Sequence, residues 1–266
     1  MNQMLRHYGF RHHPFGRNVP REGILQHRGF AEALGRLRYS VELEAIAALV
    51  AESGCGKSLL LGVLADQIQQ QGMCVHYFAH ATVGPFGLVN VLARKVGIAP
   101  RRSRGETATA LCEHLLAADR RHLLVVDEGQ KLPDDTLEDV RLLTIADFDR
   151  RSPFLLLLAG HLSLDDRLAE PIHHALDQRI TTIARLAPLS LDETREYLRG
   201  RLTAAGVGDR PVFEDGAIDG VHDTSGGVPR RINNLATAAL IVAAARGRRL
   251  VSAQDVQDAR IDRGRP

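Results

Sequence analysis

Ala51-Glu52-Ser53-Gly54-Cys55-Gly56-Lys57-Ser58 is the stretch whose residue types and spacing point most directly to chemistry. It nearly matches the loop that cradles phosphates, written glycine, four residues, glycine, lysine, then serine or threonine; Ala51 stands where the first glycine belongs. Gly54 and Gly56 leave the backbone able to turn its N–H groups toward phosphate oxygens. Lys57 would reach the β and γ phosphates and Ser58 would ligate Mg²⁺, with the positive end of the following helix adding to the attraction. A glycine turn with a solvated lysine is the plainer reading. The buried strand before the loop and the helix after it argue against that.

A second signal is Asp127-Glu128, at the end of the apolar run Leu123 to Val126. Asp127 would hold Mg²⁺ through water, and Glu128 would polarise the water that attacks the γ phosphate. If both runs are strands of one parallel sheet, the acids and the loop meet on its carboxyl edge. A strand between them should end in a polar group that orients the water, and the run from Phe154 ends at His161. A surface histidine after a glycine is the equal alternative. Arg179, beside Asp177 and Gln178, would complete a neighbouring subunit's nucleotide site, or else pair with Asp177 or Asp149. Arg230 and Arg231 open a helix behind Pro229, where the helix dipole disfavours cations unless an anion faces them. Bound phosphates would be that anion, which makes Arg230 a candidate sensor; a pair of solvated arginines is the bland reading.

Those residues need a scaffold, and the hydrophobic pattern describes one. Strands are expected at Ala45–Val50, Val75–Ala79, Leu123–Val126, Phe154–Ala159 and Ile180–Ala184. Helices are expected between them at Ser58–Gln71, Phe86–Gly97, Glu106–Ala118 and Asp135–Asp147, which implies a parallel sheet with helical crossovers. From Pro188 the pattern is helical only: Leu191–Ala205, Asp215–Asp223, Pro229–Arg246 and Ser252–Ile261. Ser190 with Glu193 reads as a capping box, and Ser252 as an N-cap. The expected division is therefore an α/β nucleotide-binding core over 1–187, N-terminal arm included, and a small all-helical lid over 188–266.

Composition narrows the partners. The chain has 266 residues, 44% hydrophobic and 25% charged, which excludes disorder, collagen and coiled coil. Of 34 basic residues all but Lys57, Lys95 and Lys131 are arginine, yet 32 acids leave a net charge of only +2. Any basic surface is therefore local. Candidate phosphate contacts are Arg101, Arg102 and Arg104; Arg120 and Arg121; Arg150 and Arg151; and Arg246, Arg248 and Arg249. Three cysteines, Cys55, Cys74 and Cys112, form no metal or redox pair by spacing and suit a reducing compartment. No apolar run reaches the roughly 18 residues of a membrane span, so a cytoplasmic location is expected. Only 5% of residues are aromatic, and no base-reading motif is present, so DNA binding should tolerate any sequence.

Taken together, the phosphate loop, Asp-Glu pair, polar sensor, finger arginine and the Gly227-Val228-Pro229-Arg230 segment resemble an AAA+ ATPase over nearly the whole chain. More narrowly, Tyr8-Gly9-Phe10, Pro14-Phe15, the stretch from His27 to Tyr39, Leu142-Leu143-Thr144, Gln178-Arg179-Ile180 and Gly227 to Asn233 resemble the ExeA-like, or general secretion pathway A, ATPases. That resemblance implies ATP and Mg²⁺ as cofactors. Glu52, Ser53, Gly54, Cys55, Gly56, Lys57, Ser58 and Leu59, with Pro229 and Arg230, would hold the nucleotide, Pro14 and Phe15 would lie near the adenine, and Arg179 would act as a finger. The family has a membrane-anchored secretion form and a short form encoded with transposases, related to TniB, TnsC and IstB. A chain that stops soon after the lid fits the short form. It is then expected to be a homo-oligomer, as a ring or filament, that binds duplex DNA and helps a transposase, without a membrane. A secretion-type ATPase and an ATP-dependent interaction module with weak hydrolysis are the rivals. Ala51, Ile145 and His161 depart from the family's glycine, asparagine and glutamine, which bears on turnover more than on binding.

Overall fold

The computed structural model describes residues 3–16, 27–79, 85–146, 150–208 and 210–262. After a short helix α1 (Gln3–Tyr8) and α2 (Arg28–Glu42), strands and helices alternate: β1 (Ile46–Ala51), α3 (Lys57–Gln70), β2 (Cys74–Phe78), α4 (Pro85–Lys95), α5 (Arg104–Ala117), β3 (His122–Val126), α6 (Asp134–Leu143), β4 (Leu155–Gly160), α7 (Ser163–Leu168), α8 (His174–Asp177) and β5 (Ile180–Leu186). Helices α9 (Leu191–Leu202), α10 (Asp215–Ser225), α11 (Pro229–Ala245) and α12 (Ala253–Asp262) follow.

The five strands form one sheet in the order β2-β3-β4-β1-β5, every pairing parallel. β1, β3 and β4 are buried at every position, as central strands covered on both faces must be. Their apolar runs are continuous, IAALVA and LLLLAG, because neither face meets water. The order puts β4 between β1 and β3, so the strand ends carrying the loop, the acids and His161 are neighbours on one edge.

Contacts divide the chain into two compact units, 29–53 with 57–186, and 1–28 with Gly54–Gly56 and 187–266. In the sheet unit, Leu92, Leu111 and Leu115 pack with Leu124, Leu156 and Leu158. In the helical unit, Met4, Tyr8, Phe10 and Phe15 share a core with Leu198, Leu235, Leu240 and Val251. The N-terminal arm, expected with the sheet, thus groups with the helices, and the reason is in its side chains. Three aromatic rings need apolar cover, and the buried Arg201 needs acceptors. Arg201 Nε donates to Pro14 O at 2.7 Å and its terminal nitrogen to Gly16 O at 2.9 Å, while Tyr8 OH donates to Leu240 O at 3.0 Å.

Some bounds differ from expectation. α6 ends at Leu143, where Thr144 closes it and Ala146 bridges Arg151; Asp147 and Asp149 lie outside the described residues. α9 stops at Leu202 and a π-helical turn, Thr203–Val207, follows, broken at Gly206 with φ 103°. α1, α2, α7 and α8 were not expected. Ser190 does form its capping box, and Ser252 Oγ accepts from Asp255 N–H at 3.4 Å. Among the described residues no helix is long and apolar enough to cross a membrane.

Candidate functional site

β1 delivers the loop. Its last residue, Ala51, is wholly buried, so this position needs no side chain larger than a methyl. Gly54 and Gly56 sit at φ 96° and 105°, a region that costs other residues strain. At Gly54 a Cβ would also stand 2.8 Å from the Cβ of Arg230, whose backbone N–H donates to Gly54 O at 3.2 Å. Cys55 is 2% exposed and turned inward, so the loop offers backbone rather than thiol. Lys57 Nζ donates to Ala51 O at 2.9 Å and to Glu52 O at 3.3 Å, folding the ammonium back over its own loop. Ser58 and Leu59 are exposed on the first turn of α3.

β3 delivers the acids. Asp127 is 6% exposed; its Oδ1 accepts from the Glu128 N–H at 2.8 Å and its Oδ2 from Tyr77 OH at 2.6 Å. Each oxygen keeps a second lone pair, so the carboxylate can still face a hydrated cation. Tyr77 comes from β2, and burial together with the Asp127 bond pushes its phenol well above the ordinary value. Glu128 holds a left-handed backbone, φ 57° and ψ 34°, which swings its side chain away from the strand direction. Its Oε2 pairs with Lys131 Nζ at 2.7 Å and accepts from Gln130 Nε2 at 3.2 Å. The Lys131 hydrogen bond, with the charges of Lys131 and Lys57, holds the Glu128 carboxyl below the usual range.

His161 caps the end of β4. Its backbone N–H donates to Gln130 Oε1 at 3.0 Å, while its exposed ring accepts from the Ser163 N–H at 3.4 Å. Gln130 therefore joins the acid turn to the end of β4, and Arg167 fixes Gln130 by donating to its carbonyl at 2.9 Å. Gly160 makes room for this: a Cβ there would lie 2.4 Å from Gln130 Oε1.

The sheet unit brings Lys57, Asp127, Glu128 and His161 to the same edge, but not Arg179. Arg179 precedes β5, while Lys57 follows the neighbouring β1, so the two stand at opposite ends of parallel strands. Arg179 lines a small depression there with Glu44 and Ser152. Pro229 and Arg230 begin α11, and Pro14 and Phe15 are buried in the helical unit. Among the arginine clusters, Arg104 pairs with Asp139, Arg121 with Glu44, and Arg246 and Arg248 with Asp255, so these four are not open phosphate contacts. Sequence reading missed Tyr77, Gln130 and Lys131. Gln130 and Lys131 were visible as polar residues just after the acids, whereas Tyr77 needed the strand register.

A parallel five-stranded sheet with a phosphate-type loop after β1 and an Asp-Glu pair after the strand two places away is the AAA+ nucleotide-binding fold. Residues 41–168 match the family model described as AAA domain. The chain is 30% identical over 246 residues to general secretion pathway protein A of Aeromonas hydrophila, covering 90% of this chain and 45% of that protein, so it spans less than half of its relative. In structure it is similar to Cdc6p from Pyrobaculum aerophilum, with a TM-score of 0.71 at 20% identity over 94% of this chain and 70% of the other. It is also similar to Drosophila ORC bound to DNA, with a TM-score of 0.66 at 17% identity over 100% of this chain and 67% of the other. Residues 41–168 thus resemble an AAA domain, and the fold is the one these solved structures share.

Proposed function

We propose that this chain is a Mg²⁺-dependent ATPase that acts as an oligomeric switch, binds duplex DNA without sequence preference and assists a transposase. The observation that carries the ATPase reading is the shared carboxyl edge: Lys57 behind the loop, the buried Asp127, and Glu128 beside Lys57's charge. The residues fit the cofactors. Loop glycines at positive φ supply the turn a phosphate cradle needs, and Asp127 with Ser58 supplies the hard oxygen donors Mg²⁺ prefers. When bound, Mg²⁺ would neutralise charge on the β and γ phosphates. Lys57 would bind those phosphates, Glu128 would take a proton from the attacking water, and His161 would orient that water. Arg230 and Pro229 would sense the nucleotide in the helical unit, with Pro14 and Phe15 near the base. Arg179, at the opposite edge from its own loop, suits a role at a neighbour's nucleotide.

The DNA reading draws on likeness to an ORC bound to DNA and on local arginine clusters. A secretion role is the second reading, favoured by the 30% identity to general secretion pathway protein A. The test is binding to duplex DNA with and without a slowly hydrolysed ATP analogue, in the native chain and in Lys57→Ala. Analogue-stimulated binding that Lys57→Ala lacks supports the switch; no stimulated binding to any duplex at low salt removes the DNA and transposase reading and leaves the secretion one.

A further inference from the structure

Two arginine pairs about 30 residues apart in sequence meet in the folded sheet unit. Arg120-Arg121 lead into β3 and Arg150-Arg151 precede β4, and these strands pair in parallel with Leu123 opposite Leu155. Neighbouring strands lie about 4.8 Å apart, so the two pairs stand side by side at the amino edge of the sheet. They line one depression of about 200 Å³, together with His122 and Glu44.

The charge there is unbalanced. Glu44 engages Arg121, and Arg151 donates to Leu116 O at 3.2 Å, which leaves its charge uncompensated by that bond. Arg120 and Arg150 are exposed at the rim. Among the described residues that line the depression, four guanidinium groups stand against one carboxylate. Burial and the nearby His114 lower the His122 pKa, which disfavours a further positive charge on its ring.

The chain's own nucleotide cannot be what this charge serves. The phosphate loop is at the carboxyl edge, and a five-residue strand at about 3.3 Å per residue separates the edges by about 17 Å. Guanidinium forks match phosphate oxygens in pairs, and a linear polyphosphate presents several such groups at once to a compact cluster.

We propose that this amino-edge depression binds the phosphate backbone of duplex DNA, as an anion site separate from the nucleotide loop. The inference rests on the DNA-binding reading and names the surface that does it. Arg120 and Arg150 make the outer phosphate contacts, while Arg121 and Arg151, held by Glu44 and Leu116 O, fix the shape of the floor.

The test is fluorescence anisotropy of a short labelled duplex, titrated with the native chain, Arg120→Ala/Arg150→Ala, Arg120→Lys/Arg150→Lys, and a control pair Arg36→Ala/Arg38→Ala, exposed on α2 and outside every arginine cluster named above, over a range of salt. The native chain should show a steep linear fall of log K with log salt. The alanine pair should flatten that slope by about 1.8, since each phosphate contact contributes about 0.9. The lysine pair should restore most of it, and the control pair should leave it near the native value. Nucleotide affinity should be the same in all four proteins. A native slope in the alanine pair, or an equal loss in the control pair, overturns this site while leaving DNA binding intact. If the native chain binds no duplex, the DNA reading falls and this inference with it. Competition by poly-glutamate as effective as by the duplex would assign the depression to an acidic protein segment instead.

Discussion

Gly160→Ala isolates the Gln130 bridge. The added methyl would lie 2.4 Å from Gln130 Oε1 and 3.0 and 3.1 Å from Leu164 Cδ2 and Cβ. The oxygen ends a flexible side chain, so Gln130 should swing aside instead of forcing the backbone. The cost is then the two bonds it makes, to the His161 N–H and to Glu128. At about 0.5–1.5 kcal/mol each, their loss is worth about 1–3 kcal/mol, with crowding against Leu164 favouring the upper half. For a chain of this size, about 2 kcal/mol lowers the melting temperature by roughly 4–8 °C. Calorimetry of Gly160→Ala, Gln130→Ala and the double variant closes a cycle. Once Gln130 is truncated the methyl meets only Leu164, and the two bonds are lost once instead of twice, so the double variant should be about 1–3 kcal/mol more stable than the sum of the singles predicts. Strict additivity, or a native melting temperature in Gly160→Ala, would refute the idea that this glycine exists to seat Gln130.

Glu128→Gln should keep ATP affinity near native and slow turnover by about 10²–10⁴, as loss of a general base does, measured by equilibrium binding beside phosphate release. Equal loss of binding and turnover would contradict separate roles for Asp127 and Glu128. Lys131→Met removes the main influence holding the Glu128 carboxyl down, so its pKa should rise and the acidic limb of the kcat/KM profile should move to higher pH. Because that pKa is depressed in the folded chain, the pair stabilises the fold above the ordinary carboxylate range. That contribution fades as pH falls, and it is small because both side chains are well exposed. Arg179→Ala should bind ATP normally but hydrolyse it poorly, and mixing it with Lys57→Ala should restore part of the turnover; no rescue despite demonstrated co-assembly would make Arg179 structural.

The sheet was legible because β1, β3 and β4 are buried on both faces and so are written as unbroken apolar runs. Even the place of β4 between the other two followed from needing a polar strand end between the loop and the acids. Of the helices that escaped notice, α7 and α8 are six and four residues long, too short to show a repeating pattern, whereas α2 was overlooked although Phe30, Ala33, Leu34, Leu37 and Val41 fall at helical spacing on its buried face. The packing of the arm was illegible for a different reason. Tyr8, Phe10 and Phe15 announce burial, but nothing local says which core they enter, since their partners are Leu235 and Leu240 far along the chain. At the candidate site, spacing singled out Lys57, Asp127 and Glu128. Their modifiers come from register and backbone conformation: Tyr77 reaches Asp127 from the adjacent strand, and the left-handed turn at Glu128 lets Lys131 meet it. Two of the arginine clusters show the same limit, because the pairing of Arg121 with Glu44 and of Arg104 with Asp139 depends on residues remote in sequence.

The bond from Tyr8 OH to Leu240 O joins residues 232 positions apart, and it has a consequence for how the chain is made. Synthesis at roughly 5–20 residues per second puts about 10–50 s between the two leaving the ribosome. Throughout that interval Tyr8, Phe10 and Phe15 have no native core to enter, although the sheet unit, complete by Leu186, can fold at its own pace. These aromatic side chains, translated before the sheet unit, are thus packed after it, and until then they are exposed apolar surface that a nascent-chain chaperone would meet. Slowing elongation late in the message should prolong that exposure without touching any residue of the nucleotide loop.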